Sequence, residues 1–247
     1  MVAVGIIPAR YASSRLPGKA LAEIAGRTMI EHVYRQARKA KSLTRVIIAT
    51  DDPRIESAVR AFGGEVALTR ADHPSGTDRI AEVAAGLDAD VVVNIQGDEP
   101  TLDPAEIDLV ATPFETQPDL VMSTVAVPIR DPRDVTAPSA VKVVRDQAGF
   151  ALYFSRLPLP YYRSGSGGPH LKHKGLYAYR REFLLKYSTM APTPLEQAEA
   201  LEQLRVLEHG YRILVLLSSA DSIGVDTEED LERVREMFAR GEFGGDA

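Results

Sequence analysis

The sequence predicts an α/β protein, a mainly parallel sheet flanked by helices with a smaller mixed or antiparallel insertion, on three observations. Val- and Ile-rich runs alternate with helical patterns through the first half of the chain. Those runs are apolar at consecutive positions rather than at every second one, as strands covered on both faces require. After about residue 118 the alternation stops and strand-like segments follow one another. The 247 residues suffice for one sizeable core. A single domain over 1–247 is therefore expected, with a strand-rich subregion at about 118–190 inside it.

The elements follow in order. Ala3–Pro8 reads as a short strand, Thr28–Ala40 as a helix, Arg45–Thr50 as a strand, Pro53–Phe62 as a helix and Glu65–Thr69 as a short strand. A helix over Thr77–Leu87 leads into the strand-like "DVVVNIQGD", Asp90–Asp98. Asp103 as N-cap, Pro104 at the first helical position and Glu106 at the third predict a helix to about Ala111. "LVMSTVAVPI", "AVKVV" and "FALYFSR" predict strands between Leu120 and Arg156, followed by the loop "SGSGGPH" and a strand at Lys174–Tyr179. Thr193-Pro194-Leu195-Glu196 is a capping box for one helix running to His209, with Gly210 as its stop and Leu195, Ala198, Leu201 and Leu204 as its apolar face. Thr227 with Asp230 caps the last helix in the same way, and no internal repeat is visible.

Composition excludes several functions. Lys and Arg number 29 against 35 Asp and Glu, a formal charge of −6, which is the wrong balance for a general nucleic-acid binder. There is no cysteine, hence no thiol catalysis, disulfide framework or thiolate metal site. No apolar run approaches the roughly 20 residues of a membrane span. A soluble, cytoplasmic protein with no nucleic-acid or membrane partner is expected.

The first strand runs into "ARYASSRLPGKAL", a turn carrying Arg10, Arg15 and Lys19. A P-loop would need Gly at position 13 and Ser or Thr at position 20, where this chain has Ser13 and Ala20. The dinucleotide fingerprint G-x-G-x-x-G is absent after the first strand, which argues against a hydride-transfer enzyme. What remains is a cationic turn able to approach a polyphosphate, or else a solvated surface loop. Asp98, at the tip of a buried strand, is a candidate ligand for a hard cation such as Mg²⁺, because Asp103 already caps the following helix. Asp226 is a second, weaker candidate, left free by the cap at Thr227. Ser75, Gly76 and Thr77 form a small-residue helix start, with Arg79 either pairing a carboxylate or lying on the surface. The five histidines show no metal spacing. On composition alone Glu202 and Gln203 are solvated.

Taken together, "IPARYASSRLPGKAL", "HPSGTDRIAE", "NIQGDEP", "AVKVV", "ALYFSR", "GLYAY", "LEQLRVL" and "GVDTEEDLERV" closely resemble the 3-deoxy-manno-octulosonate cytidylyltransferase (CMP-Kdo synthetase) family, in order from about residue 3 to residue 237. The resemblance implies a Rossmann-like sheet of the nucleotide-diphospho-sugar transferase type. It also implies a homodimer that couples CTP to Kdo, with Mg²⁺, releases pyrophosphate and supplies lipopolysaccharide biosynthesis. Residue by residue, it places Arg10, Arg15 and Lys19 on the triphosphate and makes Asp98 and Asp226 the Mg²⁺ ligands. Ser75, Gly76 and Gln96 fall near the nucleotide and the sugar acid, and Arg79, His173, Tyr177, Glu202 and Gln203 on the sugar side. Two departures are visible: Ala137-Pro138-Ser139 stands where the family often has Asn-Pro-Asn, and Pro160–His170 is shorter and richer in Gly and Ser. Both leave open a related acidic sugar, the 8-amino analogue of Kdo or a sialic acid. A non-catalytic nucleotide-binding module is the alternative from another class.

Overall fold

The computed structural model describes residues 1–12, 16–165, 168–219 and 222–243. Strand β1 (Ala3–Ala9) is followed by a 3₁₀ turn (Lys19–Leu21), the short hairpin β2 (Glu23–Ile24) and β3 (Arg27–Thr28), and helix α1 (Met29–Ala37). Next come β4 (Leu43–Thr50), α2 (Pro53–Ala61), β5 (Val66–Leu68), α3 (Gly76–Ala85), β6 (Val91–Asn94) and α4 (Pro104–Ala111). Then follow α5 (Pro113–Thr116), β7 (Met122–Pro128), α6 (Pro132–Thr136), β8 (Lys142–Arg145), β9 (Ala151–Ser155) and β10 (Leu171–Arg180). The chain closes with α7 (Arg181–Tyr187), α8 (Pro194–Glu199), α9 (Gln203–Glu208), β11 (Ile213–Leu217) and α10 (Glu228–Ala239). The α/β class is as the alternation predicts.

Two compact units emerge, one of Met1–Asp108 with Ser222–Ala247 and the other of Leu109–Asp221. The strand-rich stretch expected at about 118–190 lies within the second, whose limits are wider because α9 and β11 pack with those strands.

In the first unit β1 pairs in parallel with β4 on one side and β6 on the other, and β4 pairs with β5. The chain moves outward from β1 to β4 and β5, then returns across β1 to lay down β6. That reversal creates a crevice beyond the carboxyl ends of β1 and β6, the position where such sheets bind ligands. Ile6, Ile7, Val46, Ile47, Ile48, Val91, Val92 and Val93 are all buried, which explains why these strands are apolar at successive positions. The helices start where their caps dictate: the side chain of Thr28 accepts from Glu31 N–H, Asp52 from Arg54 N–H ahead of Pro53, and Ser75 from Asp78 N–H.

After β6 the chain stays close to β1. Ile95 N–H donates to Ile6 O at 3.0 Å, and a Cβ at Gly97 would stand 2.9 Å from Pro8 O. Only glycine lets the backbone pass over the end of β1 and deliver Asp98 to the crevice. Gly97→Ala is expected to cost about 1–3 kcal/mol by overpacking against a backbone oxygen. Urea unfolding reads this, and an unchanged midpoint would show that the crossing tolerates a side chain.

In the second unit β7 lies between β10, antiparallel to it, and β11, parallel to it; β8 pairs antiparallel with β10 and with β9. The antiparallel character matches the expectation, whereas β11, an apolar "ILVLL" run, was not among the expected strands. The single helix expected from Thr193 to His209 is two. Ala200 adopts φ 50°, ψ 52°, which ends α8. Leu195, on the expected apolar face, is 40% exposed and Ala198 is exposed, whereas Glu196 is buried and bonded by Arg205 Nε at 2.8 Å. Leu201 and Leu204, the other half of that face, are buried as expected, and a buried ion pair across the break takes the place of Leu195 and Ala198.

Candidate active site

At the crevice of the first unit three charged side chains meet. Lys19 Nζ lies 2.6 Å from Asp98 Oδ2, 3.1 Å from Asp226 Oδ1 and 3.2 Å from Val225 O. Lys19 is delivered by Gly18, whose left-handed φ of 71° suits a residue without Cβ and whose N–H donates to Tyr11 O at 2.9 Å, closing the turn. Asp98 is fixed by its backbone, since its carbonyl accepts from Val225 N–H at 2.8 Å. Asp226 is fixed by the helix cap, because the Asp230 carboxylate accepts from the N–H groups of both Asp226 and Thr227. Burial opposes the Lys19 charge, but Asp98 and Asp226 outweigh it and raise the ammonium above its usual value. Two carboxylates and a carbonyl converging on one cationic atom form an all-oxygen donor set, which suits a hard divalent cation.

Arg10 stands at the end of β1 and donates through Nη2 to His73 O at 2.7 Å. His73 itself is held by the Glu82 carboxylate. Ser75 caps α3, and Gly76 packs against Pro8, with an added Cβ 3.4 Å from its ring. Gln96 follows β6 and is half-buried. Arg15 lies outside the described residues.

Arg79 does not lie on the surface. It is 0% exposed, with Nη1 2.8 Å from Asp51 Oδ1 and 2.5 Å from Thr69 Oγ1, while Nε and Nη2 are buried without a partner. Burial first, and the nearby charge of Arg10, pull its pKa below the usual value against the attraction of Asp51. Asp51 was missed in the sequence. It follows β4 directly, at the same carboxyl edge as Arg10 and Asp98, and that position was the signal available.

The second unit gathers the remaining residues. β10 carries His173 and Tyr177, whose rings lie 5.3 Å apart, and Phe154 meets His173 edge-on at 4.9 Å. Thr124 Oγ1 donates to Leu176 O at 2.8 Å and lies 3.0 Å from His173 Nε2, so the imidazole N–H is the donor to it. Burial pushes the His173 imidazole down to about 3. Burial, with the Glu202 charge adding to it, holds the Tyr177 phenol well above its usual value. Tyr187 Oη donates to Glu202 O at 2.8 Å, tying the start of α9 to the same aromatic group. Composition assigns both Glu202 and Gln203 to solvent. Glu202 is exposed, but Gln203 is 4% exposed and its Nε2 has no partner. A buried amide donor left unsatisfied is costly, and such a group is accounted for when a ligand accepts from it.

The cytidylyltransferase family model matches residues 4–213. The 3-deoxy-manno-octulosonate cytidylyltransferase of Solibacter usitatus is 55% identical over 236 residues, covering 95% of this chain and 94% of its own. The chain belongs to that family. The family's protein from Geobacter metallireducens is 53% identical over 251 residues, covering 97% of this chain and 99% of its own. Among solved structures, a CMP:2-keto-3-deoxy-manno-octonic acid synthetase complexed with CTP superposes with a TM-score of 0.94 at 45% identity, covering 98% of this chain and all of that one. Family membership and the mainly parallel sheet agree with the motifs read along the chain. Among the described residues no helix is long and apolar enough to cross a membrane.

Proposed function

We propose that the protein transfers the cytidylyl group of CTP to Kdo, giving CMP-Kdo and pyrophosphate for lipopolysaccharide biosynthesis. The observation that carries this reading is the meeting of Lys19, Asp98 and Asp226 at the carboxyl edge of β1 and β6, in a chain of the Kdo cytidylyltransferase family. The anomeric hydroxyl of the sugar acid attacks the α-phosphorus in line, and pyrophosphate leaves. Such a reaction asks the protein mainly to align two anions and to stabilise charge moving onto the leaving group.

Asp98 and Asp226 are the residues that would hold Mg²⁺, which when bound neutralises phosphate charge and lowers the pKa of the attacking hydroxyl. Arg10 and Lys19 meet the triphosphate, so the turn after β1 is cationic because the leaving group is pyrophosphate. Arg79 Nε and Nη2 and Gln203 Nε2 are buried donors with bonds still to make, and a sugar bearing a carboxylate and many hydroxyls supplies acceptors for such groups. His173, kept neutral, and the un-ionised Tyr177 offer polar contacts to the sugar without adding charge. A cytoplasmic location is part of this proposal, supported by a chain without cysteine. A homodimer is the assembly that the resemblance implies; a monomer mass in analytical ultracentrifugation would remove that assignment.

The test is pyrophosphate release with CTP and Mg²⁺, offering Kdo, its 8-amino analogue and a sialic acid in turn, with EDTA as control. Release with Kdo that EDTA abolishes is expected. Release with another sugar alone would change the substrate and keep the chemistry, and none with any of the three would make the protein a nucleotide-binding module.

A further inference from the structure

The break between α8 and α9 leaves the carbonyls of Glu199 and Ala200 without the N–H groups that a continuing helix would offer them. Arg156, the residue directly after β9, takes both: Nε donates to Glu199 O at 2.7 Å and Nη2 to Ala200 O at 3.1 Å. Its third nitrogen, Nη1, donates to Pro138 O at 2.9 Å, in the segment where this chain departs from the family's Asn-Pro-Asn. The backbone that carries Arg156 is anchored in turn, because Arg156 N–H donates to the Glu199 carboxylate at 3.0 Å and Ser155 Oγ donates to the same carboxylate at 2.6 Å. A planar fork with donors in fixed directions is what three separate carbonyls require, and a lysine ammonium does not reproduce it.

Glu202 and Gln203 follow immediately, with Gln203 opening α9, buried, its Nε2 unpartnered. The angle at which α9 leaves the break decides where both side chains go. We infer that Arg156, anchored by Glu199, is a positioning residue for the sugar acid: it holds the α8–α9 break and thereby aims Glu202 and Gln203 without touching the substrate. The inference rests on the assignment of that pair to the sugar. The Glu196–Arg205 bridge spans the same break, so losing Arg156 changes the angle and leaves both helices in place.

The experiment is steady-state kinetics of the full chain carrying Arg156→Ala, Arg156→Lys or Glu199→Gln, varying Kdo and CTP separately. Arg156→Ala is expected to raise KM for Kdo about tenfold or more, with KM for CTP within about twofold of the parent. Arg156→Lys recovers part of the loss, and Glu199→Gln shows a smaller change of the same kind. An unchanged KM for Kdo, or KM values for both substrates rising together as a general structural role would give, overturns the inference. If Arg156→Ala does not fold, the other two variants carry the same split. A parent protein that turns over no Kdo fails the functional reading instead, and the inference falls with it.

Discussion

Replacing Asp98 by asparagine is expected to lower turnover with CTP and Kdo by at least ~100-fold, about 2.7 kcal/mol of transition-state stabilisation, with the fold unchanged. The substitution keeps the shape of the side chain and removes its charge. The backbone bond from Val225 N–H to Asp98 O does not involve the side chain and survives, and Lys19 retains Asp226. The fold therefore has little to lose, whereas a cation held by two carboxylates loses half of its formal anionic charge. The measurement is kcat by pyrophosphate release, with circular dichroism and urea unfolding on the same sample. Turnover within a few-fold of the parent would remove Asp98 from the metal site and leave Lys19 as the charge that matters there.

Acidification is expected to destabilise the protein through His173. Burial holds its imidazole at about 3, against 6.5 in an unfolded chain. Below pH 6.5 the unfolded state takes up a proton that the folded state refuses, so stability falls as pH falls, by up to about 1.4 kcal/mol per pH unit. The loss accumulates to at most about 5 kcal/mol near pH 3 and then levels off. Carboxylates with depressed pKa values, Asp131 at about 2 among them, contribute losses at lower pH. The comparison is therefore made above their range, against His173→Gln. Between pH 6.5 and 5 the parent is expected to lose about 2 kcal/mol more than the variant, read by urea unfolding. Parallel curves would mean that His173 is protonated in the folded protein, and the neutral hydrogen-bonded imidazole would have to be abandoned.

Much of the first unit is legible from residue order alone. The caps at Thr28, Asp52 and Ser75, the strands without alternation and the short spacing from each strand to the next helix are local facts, and local rules suffice for them. Asp98, just past β6, and Asp226, just before the cap of α10, could be named as candidates from their local position, Asp226 the weaker of the two. The residues alone left the turn of Lys19 open between a polyphosphate loop and a solvated one, and the roles of all three came from the resemblance. The region around Thr193–Gly210 is where local reading fails. Its leucines recur at helical spacing, yet the chain buries Glu196 with Arg205 and breaks at Ala200, where the guanidinium of Arg156, just after β9, satisfies the carbonyls that the break exposes. No pattern within those residues announces an arginine some forty positions away.

From its residues alone the chain is readable as an α/β protein with a cationic turn and two candidate carboxylates, and by resemblance as a Kdo cytidylyltransferase, since each of these depends on periodicity, capping or motif. The meeting of Lys19 with both carboxylates, the burial of Arg79 against Asp51, the neutral His173 and the buried amide of Gln203 needed the folded chain. These are matters of burial and of contacts between distant positions, where the energy of a charge or a donor is set by neighbours that the order of residues does not reveal.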